Sequence, residues 1–395
     1  MPEPLLSDSG RTAVMACTHP YWSALQVGSQ HIARQLVARG WRVIYLSAPV
    51  TPLHFLRLSS FELKRRFGAA LRGPTLHCQG RLEAHVPFAC VGPDGRDILR
   101  RPLVTANWWR TSLNGALRAV LREPEVDLLY IDNLSYAFLL DELSPAHTMF
   151  RVMDHHERFG GWEGRAHELA ARIAGRADLT VYSAESLEPY VRKLGSRNAL
   201  CVPNGVDFAA FAGSPCSGVT RPAVLAGIPD PVVLYSGAID DRIDFDLVAD
   251  AAIRMSDVSF VFVGPPVSGL KCPAMPGNVH FVGAVGHEEL PGCMRCAVAG
   301  MVPFDVSGRG ERVEGVRPLK LLEYMAAGLP AICATWTETM DPALPVWRYR
   351  NVEEFVRMVF DAISGQYDPA PGREYARRAG WEAAVGRMLD ELGAE

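Results

Sequence analysis

The sequence has no run of eighteen apolar residues, so no segment of it is long enough to cross a bilayer as a helix. The first ten residues, Met1 to Gly10, lack the charged-then-apolar layout of a signal peptide, and the expectation is a cytoplasmic chain. The nine cysteines are odd in number and scattered, which argues against a disulfide framework. Cys293 and Cys296 form a lone C-x-x-C, but no second pair and no histidine pair stands at zinc spacing, so no metal is expected. Charge of one sign is also missing. The net charge is −4, without the clustered basic stripe of a nucleic-acid binder. No G-x-G-x-x-G follows either of the candidate first strands, which removes the dinucleotide fingerprint.

What remains is the profile of a globular protein, 48% hydrophobic and 21% charged. Its 395 residues exceed one comfortable core, and two domains are expected. Residues 1–200 carry a net charge of +5 and residues 201–395 a net of −9, so only the first half suits an anionic surface. The first half opens with a strand at Thr12–Cys17, a helical pattern from about Val27 to Arg39 that stops at Gly40, and a strand at Trp41–Leu46. Further strands read at Leu128–Ile131, Thr148–Val152, Leu179–Tyr182 and Ala199–Val202. After a loop rich in Gly, Pro and Ser the same alternation restarts at Val232–Tyr235. It continues with a helix at Phe245–Met255, strands at Ser259–Val263, Val279–Val282 and Ala297–Val302, a helix from Pro318, and a strand at Ala331–Ala334. Two β/α alternations predict two doubly wound, Rossmann-like α/β domains facing across a cleft. The expected domains are 1–205, 206–370, and a terminal helical segment, 371–395, that crosses back to the first.

The segment Pro318-Leu-Lys-Leu-Leu-Glu-Tyr-Met-Ala-Ala-Gly-Leu-Pro330 is a helix with proline at its start and a glycine stop. Lys320 and Glu323 share one face near the helix N-terminus, where free N–H groups and an ammonium favour phosphate. A carboxylate one turn further in suits two ribose hydroxyls. A solvated surface pair is the plain alternative.

This segment resembles the P-x-K-x-x-E-Y-x-A-x-G-x-P signature of GT-B glycosyltransferases. Met301-Val-Pro-Phe304, Tyr235-Ser-Gly-Ala-Ile-Asp-Asp241 and Asn278-Val-His-Phe-Val-Gly283 are similar to other stretches of that family, as is the terminal helix around Trp381. The resemblance implies a nucleotide-sugar donor, UDP-linked, held by Gly237, Asp240, Phe304, Leu319, Lys320, Leu321 and Glu323, with no further cofactor. Many retaining members carry a first glutamate where Gly315 stands here, with Glu314 only adjacent. Many also place a double glycine where this chain reads Thr18-His-Pro-Tyr-Trp22. Both departures favour inversion. The nearest likeness is to inverting exopolysaccharide enzymes such as the xanthan-pathway glucuronosyltransferase. By that resemblance Asp154, just past a strand in Met149-Phe-Arg-Val-Met-Asp-His-His156, is the catalytic base. His155 and His156 are rivals for the role, and a helix-capping Asp154 is the plain alternative.

On the acceptor side the candidates are His19, Tyr21, Trp22, Asp132 and His155, each of which reads equally well as a loop residue. The expected acceptor is a saccharide or lipid-linked hydroxyl, and nucleic acid is not expected. Ser59 to Leu71 reads as a basic, aromatic-rich helix with a Ser59/Glu62 capping box and Leu63, Phe67 and Leu71 on one side. It suits a membrane interface beside anionic headgroups, or equally a domain helix with solvated arginines. Two rival functions stay open: a sugar-nucleotide epimerase of the same architecture, and a non-catalytic saccharide-binding protein.

Overall fold

The computed structural model describes residues 10–57, 61–93, 107–123, 125–158, 165–212, 221–267, 270, 272–308 and 310–394. Ser59, and with it the Ser59/Glu62 capping box, lies outside the described residues and side chains. The chain divides into two compact units, Met1–Val202 with Val385–Glu395, and Pro203–Ala384. The helix Trp381–Leu392 thus begins in the second unit and ends in the first.

In the first unit the described strands are β1 (Thr12–Ala16), β2 (Arg42–Leu46), β3 (Thr75–His77), β4 (Leu82–His85), β5 (Leu128–Ile131), β6 (His147–Val152), β7 (Leu179–Tyr182) and β8 (Ala199–Cys201). They form one sheet in the order β3-β4-β2-β1-β5-β6-β7-β8, parallel except for the β3–β4 pair. β1 and β5 are buried at every position, as continuous apolar runs in a two-faced parallel sheet must be. The order reverses beside β1: β2 and β4 lie on one side, β5 to β8 on the other. A crevice opens at such a switch point, outside the carboxyl ends of the strands. The loops after β1 and β5 border it.

In the second unit the strands are β9 (Val232–Ser236), β10 (Ser259–Val263), β11 (Val279–Gly283), β12 (Ala299–Val302), β13 (Ala331–Ala334) and β14 (Trp347–Tyr349). Their order is β11-β10-β9-β12-β13-β14, all parallel. Here the reversal falls between β9 and β12, so Gly237 and Phe304, in the loops that follow them, flank the crevice. The helix Leu319–Ala327 follows Pro318 and ends on Gly328, whose φ of +82° an L side chain rarely adopts. Leu329 N donates to Tyr324 O at 2.9 Å and Gly328 N to Met325 O at 3.0 Å, the paired bonds of a Schellman stop.

The helix Phe61–Arg72 takes the domain-packing role on one face. Phe67 and Ala70 are buried with Val50 and Val86, and Leu63 packs beside them. Leu71, expected on that apolar side, is 71% exposed instead. The position three residues after Phe67 faces inward, and the one four residues after it does not. Arg66 is not solvated: its Nη2 donates to Ala48 O at 2.7 Å. Lys64 and Arg65 are exposed, and the Arg65 guanidinium lies 4.3 Å from the Trp22 ring centroid. Among the described residues no helix is long and apolar enough to cross a membrane.

Candidate functional site

In the second unit the switch point gathers two cations, two carboxylates and two aromatic rings. Lys320, in the first turn of the helix Leu319–Ala327, places its Nζ 3.9 Å from the Tyr235 ring centroid and 5.6 Å from that of Phe304. Tyr235 is held in turn, its hydroxyl donating to Ala238 O at 2.7 Å. Gly237 lies directly under the lysine. Its φ is +125°, and a Cβ there would sit 2.9 Å from Lys320 Nζ. The backbone approaches the ammonium this closely only because the residue is glycine.

Asp240 does not face the crevice as a bare carboxylate. Arg242 clamps it, with Nη2 at 2.6 Å from Oδ2 and Nε at 3.0 Å. Burial raises the Asp240 pKa, but the Arg242 hydrogen bonds and charge outweigh that and hold it below the usual range. The guanidinium also lies 5.4 Å from the Phe304 ring centroid. Burial, then the Arg242 charge, brings the Lys320 pKa down to about 7, against the opposing pull of Asp240 and Glu323. Burial raises Glu323 to about 7, with Lys320 pulling the other way. Both members of the pair therefore change charge near neutrality. Such tuning clusters at functional sites. The solvated surface pair is ruled out for Glu323, which is 8% exposed.

The helix is anchored from behind. Ser236 N donates to Tyr324 Oη at 2.8 Å, which ties the end of β9 to the turn carrying Glu323. The ring passes so close to β12 that a Cβ on Gly300 would be 2.2 Å from Tyr324 Cγ. Leu321 points into the core and its N–H donates to Pro318 O at 3.3 Å, while Leu319 and Lys320 are half-buried in the first turn, where a helix leaves N–H groups without an intrahelical acceptor. Phe304 is buried between the Lys320 and Arg242 cations and stacks obliquely on Trp336 at 5.6 Å. Gly315 has φ +86°, and its N–H is held by Glu338 Oε1 at 2.9 Å. A glutamate at position 315 would be strained in this backbone, and Glu314 is exposed.

The first unit builds a different constellation. Asp132, immediately after β5, accepts Thr18 N at 3.0 Å, the Ser29 hydroxyl, and Tyr130 Oη at 3.2 Å. Burial pushes its pKa up, opposed by the Ser29 hydrogen bond and the Arg151 charge. The carboxylate thus ties the loop after β1 to the start of the helix Gly28–Ala38. Arg151 is fully buried in β6, and a Cβ on Gly28 would meet its Nη1 at 1.7 Å. A charged side chain inside a strand is a signal readable in Thr148-Met-Phe-Arg-Val152, but it carried no expectation. Ser29 and Arg242 were likewise not anticipated.

His19 lies in the same loop, its carbonyl accepting Tyr45 Oη at 3.0 Å. Burial, then the Arg66 charge, lowers its imidazole to about 4, so it is neutral at pH 7. Tyr21 turns inward, 4.7 Å from the His77 ring and 5.6 Å from Tyr45. Trp22 is half-buried beneath Arg65. Asp154 stands two residues beyond the end of β6, after Met153, whose carbonyl accepts Ser183 Oγ at 3.2 Å. His155 packs on Tyr190 at 4.5 Å. His156 stacks on Phe150 and its Nδ1 lies 3.3 Å from Tyr190 Oη. Burial, then His155, lowers it to about 4. Among the described residues no group of three or more His, Cys, Asp or Glu side chains is arranged to hold a metal ion.

Comparison with known proteins agrees with this architecture. Residues 230–358 match the family described as glycosyl transferases group 1. TuaH of Bacillus subtilis (strain 168), named as a teichuronic acid biosynthesis glycosyltransferase, is 30% identical over 190 residues, 46% of each chain. The match thus spans about half the length of that relative. The structure of sucrose-phosphate synthase from Thermosynechococcus elongatus superposes with a TM-score of 0.68 at 16% identity, over 97% of this chain and 100% of that one. HepE of Anabaena, solved with UDP and glucose, gives a TM-score of 0.64 at 14% identity, over 98% of this chain and 100% of that one. The chain therefore has the two-domain Rossmann-like fold of the GT-B glycosyltransferases, and its second unit carries a stretch that matches the group 1 family.

Proposed function

We propose that the protein is a glycosyltransferase that moves a sugar from a nucleoside diphosphate sugar, UDP-linked, to a hydroxyl of a saccharide or lipid-linked acceptor, with inversion, in polysaccharide or glycoconjugate assembly. The observation that carries the reading is Lys320 over Gly237 at the β9/β12 switch point, where an anionic diphosphate meets an ammonium and close backbone. Arg242 adds a second cation beside it, and Glu323 offers a carboxylate one turn along for ribose hydroxyls. Charge that develops on the leaving diphosphate is stabilised by the two cations. HepE, whose structure contains UDP, and TuaH, named for teichuronic acid biosynthesis, support the donor and the process.

Asp154 of the first unit is the proposed base, taking the proton from the acceptor hydroxyl as it attacks the anomeric carbon. A single displacement of this kind inverts the anomer. The transferred sugar is a hexose or a hexuronic acid. Exposed Lys64, Arg65 and Leu71 on the helix Phe61–Arg72 support a peripheral contact with an anionic membrane, where a lipid-linked acceptor would be met.

The test is a thermal-shift screen of UDP, GDP, ADP and CMP, because a ligand that binds only the folded chain raises its melting temperature. UDP is expected to give the largest shift. Release of UDP from UDP-glucose or UDP-glucuronate should require added acceptor; acceptor-independent release would favour an epimerase, and no shift with any nucleotide would favour a non-catalytic protein.

A further inference from the structure

β14 is the outer strand of the second sheet, and beside its amino end the surface opens into two adjoining cavities of about 410 and 260 Å³ that share Val346, Trp347 and Gln366. The sheet is parallel, so the amino end of β14 lies at the opposite edge from the carboxyl ends where Gly237 and Phe304 stand. Three strand spacings, roughly 14 Å, separate β14 from β9 in the hydrogen-bonding direction. These cavities are not part of the donor constellation.

We propose that they form an accessory saccharide-binding site, distinct from the donor and base residues. The walls combine an aromatic surface with planar polar groups. Trp347 is half-buried and meets Tyr367 edge to face, with ring centroids 5.5 Å apart. Trp347 lines both cavities, and an indole ring suits the C–H face of a pyranose. Arg357 and Asp361 stand one turn apart on the helix Val352–Ile363, and Gln366 follows. Among the described residues these three side chains make no hydrogen bond or ion pair. Guanidinium, carboxylate and amide are planar groups able to bridge neighbouring hydroxyls, and one cation beside one anion suits a neutral ligand better than a charged one. The hydroxyl of Tyr367, in the wall of the smaller cavity, is shielded from solvent and has no hydrogen-bond partner among the described residues.

The platform is rigid. Arg348 donates to the carbonyls of Asp341 at 2.7 Å and Leu344 at 2.8 Å, and also to that of Thr339. That fixes the strand carrying Trp347. Gly372 lets Tyr367 seat, since a Cβ there would meet its Oη at 2.8 Å. The cavities are large enough for a pyranose and open enough for a chain to continue outward. Such a site would hold an acceptor or product chain away from the chemistry and raise its local concentration.

The experiment is calorimetry on the full chain with cellotetraose, maltotetraose and chitotetraose, each to about 10 mM, enough to saturate a site with a Kd of about 1 mM. UDP is titrated by itself in a separate run, and the sugar titrations are made with UDP added, so the donor site reports separately. At least one tetrasaccharide should bind, and Trp347→Ala and Arg357→Ala should each weaken it at least tenfold with UDP affinity unchanged. Arg357→Ala is the control for folding, because its side chain is exposed and makes no hydrogen bond or ion pair among the described residues. Binding that persists in both variants, or no binding of any of the three sugars to a chain that binds UDP, overturns the proposal. A chain that binds the sugar but not UDP retains the accessory site and defeats the donor reading instead.

Discussion

The ammonium of Lys320 hangs 3.9 Å above the ring of Tyr235, in the space that the missing side chain of Gly237 leaves open. The two residues come from opposite flanks of the β9/β12 switch point, and each is useful because of the other. Lys320→Ala should weaken UDP binding by about 1.5–3 kcal/mol, the cost of losing a charged hydrogen bond, while uridine binding changes little. Gly237→Ala should do the same without removing any charge, because its Cβ would displace the lysine. Equal UDP affinity in both variants and the parent would show that the diphosphate is held elsewhere.

The same pair sets a pH dependence. With both folded-state pKa values at about 7, the empty site carries Lys320 charged and Glu323 neutral below that pH, and the reverse above it. UDP affinity should therefore fall roughly tenfold between pH 6 and pH 8, as one required proton is lost. Lys320→Arg should flatten the profile, because a guanidinium stays charged throughout. Stability of the unliganded chain follows from the same values. Glu323 is raised from 4.5, so its contribution is lost as pH rises from about 4.5 to 7. Lys320 is lowered from 10.5, so its contribution returns only between about 7 and 10.5. Melting temperatures in Glu323→Gln across pH 4 to 7 should lose that first decline; an unchanged slope would assign it to other groups.

Asp154→Asn keeps the shape of the side chain and removes the proton acceptor. Turnover should fall by roughly 10²–10⁴ while UDP affinity stays put. The rival His156 is already neutral at pH 7 and seated on Phe150 and Tyr190. Near-normal turnover of the asparagine variant would hand the role to a histidine. A retained anomer in the product, read by NMR, would reject single displacement.

For the membrane contact the informative change is Lys64→Glu with Arg65→Glu. Sedimentation with phosphatidylserine vesicles should be lost, each charge contributing about 1 kcal/mol near an anionic surface. Arg66 must be left alone, because its guanidinium holds the Ala48 carbonyl after β2. Arg66→Glu should lower the melting temperature rather than vesicle binding alone. Undiminished sedimentation of the double variant would leave the helix with its packing role only.

The sequence alone determined the alternation of strands and helices wherever the apolar runs were long and bounded by glycine or proline. β1, β9 and β10 are such runs, β5 is a continuous apolar run set between Asp127 and Asp132, and burial on both faces writes itself into consecutive residues. It also determined the helix Leu319–Ala327 with its stop, since proline entry and a left-handed glycine exit are local chemistry. β3, β4 and β14 were not legible. Leu82-Glu-Ala-His85 and Trp347-Arg-Tyr349 mix charge with aromatics, and short strands at or near a sheet edge exist because a neighbour pairs with them. Only the tertiary structure decided that Leu71 faces out while Ala70 faces in, that Arg66 is a tether, and that Asp132 is enclosed by Thr18, Ser29 and Tyr130. Only it brought Arg242 beside Lys320, from segments 78 residues apart. Propensity and spacing act over a few residues, whereas burial and charge pairing depend on which distant segments the sheet order brings together.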